Sequence, residues 1–518
     1  MPIRQINRNN RSVNYTLPAP VGGLNARDSL DTMSPTDAIV LDNYIPGDTN
    51  LFLRRGYSVY VKNDKRFLTL ASYSKYNEPR FIGIADGKAY NISSKKNVTQ
   101  YEGISFTDSR CQTVQYKDRL FFFNGVDTPK VFYVDDGGED VFADWGFTAD
   151  GLTAAKIIAG AVSKQFLWFV ERGSMKVWYA AEAGNISGEL NAFDLSQVAR
   201  CGGHIMAVCC WTQDGGRGID DLTVFLTSEG EALVYSGSNP NSAENWELKG
   251  SYKIPKPIGY CCALQYQGDI VLITEDGYLP LSRVLPLNQA GASSVAFSDK
   301  IRGLVLDRTA TNKNKDGWQG IIYPKGGYAV FNVPVSRNFE QHVINLNTGA
   351  WCRFTNIKAY CWELFEGRLY FGSDYGVYLF DDGYSDGGNH IYGEVQQAFS
   401  DLGFSGLKKI QLLNPRTKSS AKYALVIYTN MDFEERKVSY AENVGSVGIT
   451  KWDEAPWSCL ANQIGTKWQT LKGSIRSQWI ANSATGFKAS IVFKTKTRGN
   501  LIEWFDTGVR YERASGIL

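Results

Sequence analysis

Phe371-Gly-Ser-Asp-Tyr-Gly376-Val-Tyr-Leu-Phe380 is an apolar run that meets a small polar turn carrying glycine and leaves as a second alternating run. Period-two alternation on both sides of a glycine turn reads as a β-hairpin. The phrase returns as Phe225-Leu-Thr-Ser-Glu-Gly230-Glu-Ala-Leu-Val-Tyr235 and as Leu272-Ile-Thr-Glu-Asp-Gly277-Tyr-Leu-Pro-Leu281, and in looser form around Gly87, Gly125, Gly173 and Gly326. Successive turns lie 38 to 57 residues apart. Repeats of about 40–50 residues made of short strands are the mark of propeller blades. Further strands between the hairpins, such as Gln341-His-Val-Ile-Asn-Leu346 and Trp351-Cys-Arg-Phe354, bring each unit to the four strands a blade needs. The expected fold is all-β: a β-propeller of six or seven blades over 62–388, a C-terminal β-sandwich-like domain over 389–518, and a short irregular N-terminal arm over 1–61.

The chain has 518 residues, whereas single cores stop growing near ~250–300. Blades pack mainly on their neighbours, so a propeller escapes that limit. Aromatic residues make up 13% and glycines number 51, which favours strands joined by tight turns. With 55 basic against 53 acidic residues, no global field draws the protein onto nucleic acid or membrane. No run of ~18 apolar residues is present, and Met1-Pro-Ile-Arg-Gln-Ile-Asn-Arg8 lacks the apolar stretch of a secretory signal. Synthesis in a cytoplasm is expected.

In the arm, Arg4, Arg8 and Arg11 sit among polar residues, and Ser34-Pro-Thr-Asp37 has the residue types of a helix start. That predicts a short helix with Ala38, Ile39 and Leu41 on its apolar face, followed by a strand over 51–57. The stretch 51–61, placed just before the repeats, is expected to pair with the last blade and close the ring. Beyond residue 388, Tyr423-Ala-Leu-Val-Ile-Tyr428, Ala489-Ser-Ile-Val-Phe-Lys494 and Ile502-Glu-Trp-Phe505 alternate as sandwich strands. Trp452, Trp457, Trp468 and Trp479 suit its core, with a subunit interface as the alternative.

Nine cysteines raise the question of disulfides or metal. Cys262 and Cys361 each stand fifteen residues before a turn glycine, and Cys111 and Cys209-Cys210 hold similar registers. One residue type at one register implies one environment, the crowded inner strand, where a thiol packs as a small apolar group. Cys201, His204, Cys209 and Cys210 could suggest zinc, but Cys209 and Cys210 are adjacent on a strand and should point to opposite faces. Asp220-Asp221 and Asp381-Asp382 read as turn carboxylates rather than an acid/base pair. Neither a phosphate-binding loop nor a Gly-x-Ser-x-Gly elbow occurs. No catalytic, metal or cofactor site is expected. A propeller hydrolase acting on carbohydrate and a non-viral binding scaffold remain as alternatives.

Pro18-Ala-Pro-Val-Gly-Gly-Leu-Asn-Ala-Arg-Asp-Ser29, continuing through Met33-Ser-Pro-Thr-Asp-Ala-Ile-Val-Leu-Asp-Asn43 to Leu53-Arg-Arg-Gly-Tyr57, resembles the tail nozzle proteins of short-tailed bacteriophages, also called tail hub or packaged-DNA stabilisation proteins. The resemblance covers about forty residues in its specific part. It implies a homohexameric structural ring in the virion tail, below the portal and its adaptor, that retains double-stranded DNA and lets it leave at infection. Adaptor, tail fibres or spikes and a tail-tip plug are the implied partners. The matching arm becomes a candidate docking segment, with Asn25, Arg27, Arg54 and Arg55 as candidate interface residues; two solvated arginines on an edge strand are the plainer reading of Arg54 and Arg55. A near-neutral chain suits a lumen that must not grip DNA, because each phosphate contact adds salt-dependent attraction.

Overall fold

The computed structural model describes residues 12–75, 78–95, 98–214, 219–284, 296–420, 423–436, 438 and 474–513. Arg4, Arg8, Arg11, Trp452, Trp457 and Trp468 lie outside them. The chain divides into two compact units, neither contiguous in sequence: Val59–His342 with Asn356–Phe380, and Met1–Ser58 with Val343–Thr355 and Asp381–Leu518. These do not follow three consecutive stretches, because strands from both chain ends and from one hairpin build the second unit.

The first unit is a β-propeller. Seven antiparallel sheets succeed one another, opening with the strands Phe67–Tyr73, Gln112–Tyr116, Ile157–Ser163, Ile205–Asp214, Ala263–Tyr266, Gln319–Tyr323 and Cys361–Phe365. Each opening strand touches the next, and the last touches the first, so the sheets form a ring. Five of these sheets number at least four strands, a full blade; the fifth in order numbers three and is followed by the short helix Leu281–Val284, and the sixth has Gln319–Tyr323, Tyr328–Val335 and part of Asn338–Asn345 in this unit. The ring is closed by an N-terminal strand: Tyr57–Lys62, which enters this unit at Val59, is the outer strand beside Gly376–Phe380.

Arg119–Phe123, with sequence Arg-Leu-Phe-Phe-Phe, shows why these strands are apolar without a polar alternate. Leu120 and Phe122 pack towards the preceding sheet with Ile82, Ile84 and Ala89, whereas Phe121 and Phe123 pack towards the following one with Leu167 and Phe169. A sheet sandwiched between two others buries both faces. Each buried Phe contributes about 2–3 kcal/mol.

Gly87, Gly125, Gly173, Gly230, Gly277 and Gly376 all have positive φ, as tight hairpin turns demand. Gly326 does not: it lies in the 3-10 turn Pro324–Gly326, and the left-handed residue is its neighbour Gly327, φ 69°. Between the fifth and sixth sheets runs a helix that alternation does not announce, Arg302–Asn312, whose buried residues Val305, Thr309 and Asn312 form a single stripe.

The second unit is a β-sandwich. In one sheet the long strands Lys408–Ser419 and Ile502–Arg513 pair with each other, and Ser12–Pro18, Leu51–Leu53 and Tyr44–Pro46 extend it. In the other, Asp37–Asp42 lies between Trp351–Phe354 and Ile391–Gln397, followed by Ala489–Thr497 and Ala424–Met431. Phe493 and Trp504, one from each sheet, stack 4.4 Å apart between them.

The helix expected at 34–41 is instead the strand Asp37–Asp42. The start signal makes only a turn: the Asp37 amide donates to the Ser34 carbonyl at 2.9 Å and nothing propagates. β-Branched Ile39 and Val40 favour extended backbone, and pairing with Gly23–Leu24 and Ile391–Gln397 fixes it. The arm is therefore woven into the sandwich rather than irregular. Trp479 is 43% exposed, so it is not a core residue; Trp351 and Trp504 are buried. Lys408 is fully buried and donates to the Phe487 carbonyl.

Candidate functional site

The seven opening strands leave their outer edges unpaired around the ring's axis. Five of the sheets line a cavity of about 380 Å³ there, through Gln112, Gly160, Cys209, Cys261 and Gln319 among others. Small side chains are needed because the strands converge: a Cβ on Gly160 would stand 2.7 Å from the Phe123 ring. The cysteines follow from the same crowding. Cys209, Cys210 and Cys261 line the cavity; Cys209 packs towards the following sheet and Cys210 meets Ser163 of the preceding one, the opposite faces that alternation predicts, and Cys262 and Cys361 are buried. Burial pushes the thiols of Cys209 and Cys361 up to about 12 and that of Cys262 well above its ordinary value. These thiols stay protonated, neither nucleophiles nor ready metal ligands.

Every cysteine among the described residues is free. Among those residues no three His, Cys, Asp or Glu side chains converge on a metal-sized gap. The Cys201 amide instead donates to the buried Glu231 carboxylate at 2.9 Å, together with the Arg200 amide and the Ser251 hydroxyl. Burial alone would raise the Glu231 pKa, but these donors outweigh it and lower it.

One acid joins the first and last opening strands. Glu363 accepts a 2.6 Å hydrogen bond from the Ser72 hydroxyl. Its side chain is half-buried by surface exposure, yet protein surrounds it closely enough that desolvation lifts its pKa to about 7. Alternation gives no hint of this residue, since the strand Cys-Trp-Glu-Leu-Phe looks like any other.

The four candidate docking residues separate into two pairs. Arg54 is 1% exposed and makes a bidentate ion pair with Asp386, at 2.8 and 2.7 Å, while its Nε donates to Asn43 at 2.8 Å and its guanidinium lies over Phe354. Asn25 is likewise buried and donates to Asp37 and Asp28. Neither can meet a partner; their polarity serves the sandwich. Arg55 and Arg27 are exposed, paired with Asp381 at 3.8 Å and Asp28 at 2.7 Å. Asn43, which sequence reading passed over, is the hub of this network. It bonds Thr355 and the Tyr392 carbonyl as well as Arg54, and holds φ 60°.

No family model matches this chain, and no curated protein matches it. Among solved structures, it is similar to a streptogramin B lyase at 8% identity, over 64% of this chain and 97% of that one, with a TM-score of 0.38. It is also similar to Sqt1 of Saccharomyces cerevisiae at 10% identity, over 62% of this chain and 98% of that one, with a TM-score of 0.32.

Proposed function

We propose that this chain is a structural subunit of the nozzle, or hub, of a short bacteriophage tail: one copy of a hexameric ring that retains packaged double-stranded DNA and releases it at infection. The observation that carries the reading concerns residues 18–57, the stretch that resembles the nozzle family. They supply four strands of the sandwich and its buried polar hub of Asn25, Asn43 and Arg54. A segment so committed to one architecture is a poor candidate for chance likeness.

The axial cavity of a single propeller, about 380 Å³, is sized for a small ligand. It cannot pass a duplex, so the conduit lies between copies and each propeller serves as a stiff wall block. A formal net charge of +2 over 518 residues suits a wall that does not hold phosphates. Adaptor, fibres or spikes and a tail-tip plug are the partners this role requires, with Arg27 and Arg55 as exposed arm residues available to them. Electron microscopy of the purified full chain, alone and with its adaptor, tests the reading. Sixfold rings in either sample support it. Monomers in both overturn it.

A further inference from the structure

The second concavity of the propeller, about 500 Å³, opens where the ring closes. Asp64 and Arg66 reach it from the segment joining Tyr57–Lys62 to Phe67–Tyr73, Asp86 from a hairpin of the first sheet, and Asp374 and Tyr375 from the last hairpin. Tyr375 stands on the rim with 63% of its surface exposed. Its backbone is pinned, because its carbonyl accepts from the Asn63 amide at 3.1 Å. The turn that carries the ring is thus fixed beside the pocket, and the aromatic face is open to solvent.

The polar groups divide sharply. Asp374 is fully used: it accepts from Arg66 at 3.1 Å, from Tyr360 at 2.8 Å and from Lys358 at 2.6 Å. Arg66 is oriented by that bond and by lying 5.0 Å from the Tyr360 ring centre. Its two terminal nitrogens have no partner among the described residues. The carboxylates of Asp64 and Asp86 likewise make no hydrogen bond or ion pair there, although the Lys65 ammonium is near enough for Asp86 to act on it. Of the charged groups that line the pocket, Arg66, Asp64 and Asp86 are left for a ligand, because the Asp374 carboxylate is taken up by Arg66, Tyr360 and Lys358.

We propose that this pocket binds a neutral pyranose, the exposed sugar of a glycan. A pyranose has one apolar C–H face, which stacks on a tyrosine ring, and an edge of vicinal hydroxyls. Those hydroxyls donate to carboxylates and accept from a guanidinium, the donor and acceptor capacity left unspent here. A cationic ligand would meet Arg66; an anion would meet Asp64 and Asp86. Unspent groups of both signs around one concavity therefore favour a neutral, hydroxyl-rich ligand. No cleavage is involved, and the inference does not depend on the nozzle reading.

Saturation-transfer NMR on the purified full chain tests it, using methyl glucopyranoside, galactopyranoside and mannopyranoside, with lysine methyl ester and inorganic phosphate as charged controls. At least one pyranoside should show transfer to its ring protons and the controls none. Tyr375→Ala should weaken that binding by about tenfold while Tyr375→Phe preserves it, since the ring rather than the hydroxyl stacks. Asp64→Asn with Asp86→Asn should weaken it further. All three substituted side chains are exposed, so an unchanged melting temperature certifies the fold. Absence of transfer from every pyranoside, equal transfer in Tyr375→Ala, or preferential binding of a charged control overturns the proposal.

Discussion

The propeller and the sandwich use the same element, the antiparallel strand, but assemble it in opposite ways. In the propeller, sheets are made of consecutive strands, as in the sheet of Gln112–Tyr116, Arg119–Phe123, Lys130–Val134 and Asp140–Asp144. In the sandwich, Ile502–Arg513 pairs with Ser12–Pro18, Leu51–Leu53 and Lys408–Ser419, partners spread over the whole chain. Short loops cost little entropy to close, so apolar faces alone can hold a blade. Distant strands need something directional to fix which pairs with which. The sandwich has it in Arg54, Asn43 and Asp386, whereas the propeller interior is mostly aromatic and aliphatic contact. The difference teaches where each unit is fragile: the sandwich at buried polar bonds, the propeller at the single place where its ring is non-local.

The strongest way to break the comparison is Arg54→Ala. It strands the Asp386 carboxylate in the interior, which should cost about 3–5 kcal/mol. Thermal or denaturant unfolding would read the loss in the sandwich. Arg54→Met combined with Asp386→Leu removes both charges at similar volume and should restore much of the stability. If the double variant is as unstable as the single one, packing around the guanidinium, and not the unpaired charge, sets the cost.

A second comparison uses two glycines with positive φ. Gly376, φ 123°, sits at the ring closure, where a Cβ would stand 2.0 Å from the Val61 carbonyl oxygen. Gly349, φ 70°, turns a sandwich hairpin with nothing within 4 Å of its Cβ position. Gly376→Ala should therefore cost about 2–3 kcal/mol, backbone strain plus displacement of the closing strand, against about 1 kcal/mol for Gly349→Ala. Amide exchange should show Val59–Lys62 loosened in the first variant alone. Equal losses would mean that the closing strand adds no stability of its own.

The legible part of this fold was the local part. Repeated glycine hairpins showed the propeller, and equal registers of Cys262 and Cys361 placed both at inner strands. What failed was whatever depended on distant partners. Ser34-Pro-Thr-Asp37 looks like a helix cap until the strand Ile391–Gln397, some 350 residues away, claims Asp37–Asp42. Arg54 and Arg55 are identical neighbours in the sequence, yet only Asp386 decides that the first is interior and the second a surface cation. Glu363 was invisible for the same reason, because its partner Ser72 stands 291 residues away in the sequence.

Glu363 also gives the smallest expected effect and the sharpest one. Its carboxyl has a folded pKa of about 7, raised from an unfolded value near ~4.3. Between those values the folded state holds more protons than the unfolded chain, so stability falls as pH rises through that window. Above pH ~7 the ionised form carries the full penalty. Solvent reaches this half-buried side chain, which limits the penalty to roughly 1–2 kcal/mol. Glu363→Gln removes the titration while keeping an acceptor for Ser72. The variant should match the parent at pH 4.5 and exceed its melting temperature at pH 8, so the two stability curves diverge between those values. Parallel curves would show that the Ser72 contact leaves this acid as well solvated when folded as when unfolded, and the ring's first and last strands would then meet without an electrostatic cost.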